Sequence, residues 1–131
     1  LMLASYKACR RLRSQQRIAH VNAFAGLLNA HYDGGPVLLI TGASSPSILG
    51  RGGFQDLNQV ALARPLCKRA CKSNSAIIPQ EIHESFATAT NGRPGPVHLT
   101  IPADVLSAKV DESQIKSPRF RLGRSKEHRG W

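Results

Sequence analysis

Few side chains in this 131-residue sequence stand at spacings that chemistry requires. Ser44 and Ser45 follow an apolar run, yet they lack the G-x-S-x-G frame of a nucleophile elbow and an obvious base partner. Cys67 and Cys71 are four apart, the wrong spacing for a C-x-x-C redox or zinc pair. With Cys9 they make three cysteines, an odd number that reads as reduced thiols. The five histidines are scattered, and His31 and His83 have no partner at helical i,i+4 spacing that would build a metal site. Arg51-Gly52-Gly53 is Gly-rich but is neither a P-loop nor a dinucleotide fingerprint. Glu81 and Glu84 read as the solvated face of a helix. What remains is an aromatic-amide pair, Phe54-Gln55, after a loop rich in Gly and Ser over 42–53. Loops beyond the ends of strands in α/β folds tend to carry function.

The elements that would position these residues follow from periodicity. Residues 18–32 predict a helix, with Val21, Ala25, Leu28 and Tyr32 recurring on one face. Gly34, Gly35 and Pro36 stop it. Val37-Leu38-Leu39-Ile40-Thr41 is a continuous apolar run, as in a strand covered on both faces. Asp56 to Ala63 predicts a short helix ended by Pro65, and Leu66 to Lys72 is an ambiguous segment compatible with a short strand. Ile77 to Thr90 predicts a helix with Pro79 in its first turn and an apolar stripe of Ile78, Ile82, Phe86 and Ala89. After the connection Arg93-Pro94-Gly95-Pro96, Val97 to Ile101 predicts another strand, stopped by Pro102. Alternating helices and strands favour a parallel sheet with helices packed on it, here of two or three strands.

Length and composition allow one domain with a core of Leu, Ile, Val and Ala, since only 5% of residues are aromatic. The net charge of +10 is concentrated at the ends. Residues 1–20 carry Lys7, Arg10, Arg11, Arg13 and Arg17 with no acid, and 109–131 are also basic, while the middle is nearly neutral. That distribution reads as solvated basic tails and argues against nucleic-acid binding as the function. No run approaches the ~18 apolar residues of a membrane span. The Arg-rich, acid-free start has the composition of an organellar transit segment. Because the chain begins with Leu, an aberrant or truncated start is the favoured expectation.

Four ordered motifs carry a family resemblance. They are Asn22-Ala23 with Gly26-Leu27-Leu28-Asn29-Ala30; Asp33 with Pro36-Val37-Leu38-Leu39-Ile40-Thr41-Gly42; Arg51-Gly52-Gly53-Phe54-Gln55-Asp56 with Gln59 through Pro65; and Gly92 through Val97 with Ile101-Pro102-Ala103-Asp104-Val105-Leu106. Together they resemble the N-terminal, pyrimidine-binding domain of thiamine-diphosphate-dependent enzymes, most closely the acetolactate synthase large subunit. The resemblance covers about Asn22 to Leu106. It implies an α/β fold, a partial three-layer α/β/α domain with a short parallel sheet that lacks the first strands and a glutamate-bearing helix. It also implies three regions: a basic segment 1–20 outside the match, the partial domain 21–108, and a basic linker or tail 109–131.

In this family a glutamate protonates the cofactor's aminopyrimidine, which helps form the thiazolium carbanion that attacks a 2-keto acid. That glutamate lies upstream of the matched region, and Glu81 and Glu84 do not substitute for it. The family's Gly-Pro-Gly loop is replaced by Arg17-Ile18-Ala19, where larger side chains forbid close backbone approach. Its Gly-Asp-Gly…Asn motif for diphosphate and Mg²⁺ does not occur in this sequence. No catalytic or metal-binding residue is therefore assigned. By resemblance, Phe54 and Gln55 line the substrate channel beside the cofactor, the aromatic excluding water and the amide hydrogen-bonding substrate. The intact enzyme would use thiamine diphosphate and Mg²⁺, condense or decarboxylate small 2-keto acids, and form homo- or hetero-oligomers with subunits of the same kind. This chain alone is expected to bind neither cofactor tightly and to be inactive, in the cytoplasm or, if 1–20 act as a transit segment, in an organelle. The alternatives are a non-catalytic remnant that pairs with an intact subunit and a gene fragment with no function.

Overall fold

The computed structural model describes residues 10–14, 17–45, 57–74, 78–111 and 113. Among the described residues four parallel strands form one sheet: β1 (Arg10–Ser14), β2 (Val37–Ala43), β3 (Arg69–Lys72) and β4 (Val97–Pro102), in the order β1-β2-β4-β3. Leu38 stands opposite Val97 and Thr41 opposite Thr100, while Arg10 stands opposite Val37 on the other side. Five helices among the described residues connect or follow the strands: α1 (Arg17–Asn22), α2 (Phe24–Asp33), α3 (Gln59–Ala63), α4 (Ile78–Thr90) and α5 (Ala103–Ser107).

The two central strands explain the layering. Every residue of β4 is buried, as expected of a strand covered on both faces. Successive side chains alternate between faces. Leu38, Val97, Leu99 and Ile101 pack with Ala89, and with Ile78, Ile82 and Phe86 of α4. Val37 and Leu39 pack on the opposite face with Leu27 and Ala30 of α2, and with Leu66 and Cys67. The sheet is thus sandwiched between helices, the α/β architecture with a short parallel sheet that the sequence implied. The α4 stripe lies where its periodicity placed it.

Three local features differ from the sequence reading. The sheet holds four strands where two or three were foreseen, because Arg10–Ser14 of the basic N-terminal stretch pairs along β2. The helix expected over 18–32 is two helices. Ala23 N–H donates to the His20 carbonyl at 3.1 Å, a tightened turn that separates α1 from α2. The expected stripe of that helix faces outward: Val21 is 47% exposed, Leu28 40% and Tyr32 71%, and Ala25 is exposed too. Leu27 and Ala30 are the buried residues of α2. Two apolar stripes compete on this helix, and the smaller one, Ala23-Leu27-Ala30, faces the sheet.

The amino-terminal side of the sheet is closed by caps. Gly34 ends α2 with a left-handed φ of 66°, its N–H donating to the Ala30 carbonyl. Arg93 Nη2 donates to the Tyr32 carbonyl at 3.0 Å, and Lys68 Nζ donates to the carbonyls of Thr88 and Asn91, each at 2.6 Å. These cations satisfy the orphan carbonyls at the ends of α2 and α4.

Candidate functional site

The sequence-predicted pair Phe54 and Gln55 lies outside the described residues, as do most of the loop 42–53 and Asp56. The described chain leaves the sheet after Ala43, runs as far as Ser45 and resumes at Leu57, just before α3. Both of these ends meet one buried polar cluster.

Thr41 Oγ1 donates to Gln59 Oε1 at 2.8 Å, and Gln59 Nε2 donates to the Gly42 carbonyl at 3.0 Å. The Gln59 side chain thereby ties the end of β2 to the start of α3. Asn58 caps that helix, its Oδ1 accepting from Ala61 N–H at 3.0 Å. From β4, His98 Nε2 lies 2.9 Å from Thr41 Oγ1 and 3.2 Å from Thr100 Oγ1. Thr41 gives its proton to Gln59, so the arrangement is satisfied when His98 Nε2 carries a hydrogen and donates to Thr41. His98 Nδ1 then has no partner among the described residues.

His20 of α1 covers this cluster. Its ring lies 4.8 Å from that of His98 and edge-on to Phe24 at 4.9 Å, and neither of its nitrogens has a hydrogen-bond partner among the described residues. Both histidines are fully buried. Burial pushes His98 down to about 3, with the neighbouring His20 adding to the effect, and burial lowers His20 as well. Two neutral imidazoles result, unable to act as acids near neutral pH. The cluster ties the end of β2 to the start of α3 and is a positioning device rather than a proton-transfer centre.

The other candidates separate. His31 is exposed, its Nδ1 3.0 Å from the Leu66 carbonyl, and it lies on α2, whereas His83 lies on α4. Burial raises Cys67 to about 12 and also raises Cys71, so neither thiol is poised as a nucleophile. Glu84 pairs with Arg69 at 3.1 Å and accepts from Gln80 at 3.0 Å. Glu81 corrects the sequence reading. It is only 8% exposed, because the buried face of α4 extends to Glu81 and Ser85, and its Oε2 has no partner among the described residues. Among the described residues no group of three His, Cys, Asp or Glu could hold a metal ion, and no helix is long and apolar enough to cross a membrane.

No protein-family model matches the chain. Individual proteins do. It is 38% identical over 95 residues to 2-hydroxyacyl-CoA lyase 1 of Dictyostelium discoideum, a match spanning 71% of this chain and 16% of that protein. It is 34% identical over 102 residues to the acetolactate synthase large subunit of Lactococcus lactis, spanning 77% of this chain and 17% of that protein. The acetolactate synthase isozyme 3 large subunit of Escherichia coli is 33% identical over 87 residues, spanning 66% of this chain and 15% of that protein. Lyase chemistry was among the sequence expectations, while the 2-hydroxyacyl-CoA lyases themselves were not named there. The chain spans about a sixth of the length of these curated relatives, and over that stretch it is homologous to acetolactate synthase large subunits and 2-hydroxyacyl-CoA lyases.

Proposed function

We propose that this chain is a stretch of a thiamine-diphosphate-dependent enzyme that joins or cleaves carbon–carbon bonds beside the carbonyl of a 2-keto acid or 2-hydroxyacyl-CoA. The observation that carries the reading is the parallel similarity to both kinds of relative, at 38% and 34% identity. In the intact enzyme the stretch belongs to the pyrimidine-side domain. Phe54 walls the substrate channel, and Gln55 hydrogen-bonds the substrate. The described residues do not fit the cofactor's metal: they bring no set of donors together, and Glu81 is enclosed against the sheet on α4. This chain is inactive by itself.

A segment swap tests the reading. Residues 22–106 replace the matching stretch of the Lactococcus lactis large subunit, and thiamine diphosphate binding is followed by quenching of intrinsic fluorescence. Retained binding is expected, and a folded swap that binds no cofactor would overturn the assignment. The isolated chain, given pyruvate, cofactor and Mg²⁺, should show no turnover; detectable turnover would refute its inactivity.

A second reading, a non-catalytic module that pairs with an intact subunit, is favoured by the exposed stripe of Val21, Leu28 and Tyr32. A pull-down against an intact relative tests it. Loss of capture in Leu28→Glu and Tyr32→Glu supports pairing through this face, and absence of capture by the unaltered chain removes the reading.

A further inference from the structure

The buried polar cluster has no means of stabilising a positive charge. His20 of α1 and His98 of β4 are both fully buried, with their rings 4.8 Å apart. Both nitrogens of His20, and Nδ1 of His98, have no hydrogen-bond partner among the described residues. Buried polar atoms without partners are uncommon and call for a physical reason.

The surrounding elements supply no counter-charge among the described residues. β2 and α3 carry no ionisable side chain, and β4 carries His98 alone. Asp33 is the carboxylate of α2, but it is exposed in the last turn with His31 and Tyr32, at the opposite end of the sheet from Thr41. On β3, Lys72 stands opposite Thr100 and is a cation. Cys67 is a neutral thiol, raised by burial to about 12. The sequences of β1 and α1 add arginines and no acid.

The two histidines are held unequally. His98 sits on a central strand, its Nε2 2.9 Å from Thr41 Oγ1 and 3.2 Å from Thr100 Oγ1. His20 is held by its ring contacts with His98 and Phe24. It stands on a helix of six residues, too short to persist without packing. The tightened turn at Ala23 already parts this helix from α2.

We propose that α1 is an acid-released latch: protonation of His20 parts it from His98 and lifts α1 off the end of β2, turning about Ala23, while the sheet and α4 stay packed. The opened form is a minority state that grows with acidity. A histidine that takes its proton only when released favours the released form below its ordinary value of about 6.5. Through His20 alone the opened fraction rises about 25-fold from about pH 7 to about pH 5. The latch stands apart from the enzyme assignment, since it uses neither Phe54 and Gln55 nor the thiamine cofactor.

The test is native-state amide hydrogen exchange of the full chain across this pH range, corrected for the intrinsic pH dependence of exchange. The amides of Val21, Asn22 and Ala23 report α1, and that of Leu99 reports β4. The α1 amides should open more readily than Leu99 at each pH, with an opening constant that rises at least about 25-fold on acidification. His20→Leu, which keeps an apolar side chain against Phe24, should reduce that rise by about the same factor. Equal opening constants at Val21 and Leu99 would mean that α1 leaves only when the whole chain unfolds, and would overturn the latch. So would a constant that does not rise on acidification, or an unchanged rise in His20→Leu. The comparison of Val21 with Leu99 needs no variant, so it decides the matter if His20→Leu does not fold.

Discussion

Acidification from about pH 7 to about pH 5 should destabilise this fold by about 2 kcal/mol through His98 alone. His98 is fully buried and pushed down to about 3, against an ordinary value of 6.5. A lowered histidine binds fewer protons folded than unfolded. Stability is therefore full above the unfolded value and is lost as pH falls below it, towards the folded value. Each pH unit in that window costs up to ~1.4 kcal/mol, and the part lost between 7 and 6.5 is small, which gives the figure. The result depends little on the folded value, provided that it lies well below ~5. Lowered His20 acts in the same direction. Glu84, lowered by its hydrogen bonds from Gln80 and Arg69, loses its contribution only as pH falls through the carboxylate range of ~4, below the window used. The assay is urea unfolding followed by circular dichroism across this range, with His98→Leu alongside. The variant should start less stable yet lose less on acidification. Equal losses in the two proteins would show that His98 is not the group responsible.

Two substitutions probe the scaffold by the same unfolding assay. Gln59→Leu removes the acceptor of Thr41 and the donor to the Gly42 carbonyl, and should cost about 1–3 kcal/mol while leaving the far-ultraviolet spectrum unchanged. Leu99→Ala opens a cavity at the centre of the α4 face, where Leu99 is fully buried, and should cost about 2–5 kcal/mol; a loss below ~1 would mean that this face is loosely packed.

The parts of the fold that were legible in the sequence are those with an unambiguous pattern. β2 is an apolar run that suits burial on both sides, β4 is a short segment bounded by Pro96 and Pro102, and α4 carries a stripe at helical spacing. β1 was not legible because Arg10-Arg11-Leu12-Arg13-Ser14 reads as a charge cluster, and its strand conformation comes from pairing with β2. The face of α2 was misread because Val21-Ala25-Leu28-Tyr32 and Ala23-Leu27-Ala30 share the same periodicity, and only the packed sheet decides between them. The polar cluster was hidden by distance along the chain, with Thr41 and His98 57 residues apart. One signal was present: in Val97-His98-Leu99-Thr100-Ile101 the polar residues alternate with apolar ones, which puts His98 and Thr100 on one face. The channel pair Phe54-Gln55 was visible only through the family resemblance.

The strand order has a consequence for how the chain acquires its structure. Among the described strands β4 comes last in sequence but lies between β2 and β3, so β3 has no described strand beside it until β4 inserts. Thr41 and Thr100, which face each other across that insertion, are separated by 59 residues. Loop closure over such a span is entropically costly and is not rewarded until it is nearly complete. During synthesis, everything before Val97 therefore emerges with the edge of β2 open and Leu38 and Leu39 uncovered on that side, an interval in which a chaperone or a second chain can compete for the same edge. β4 acts as a keystone: its arrival joins the two halves of the sheet in one cooperative step.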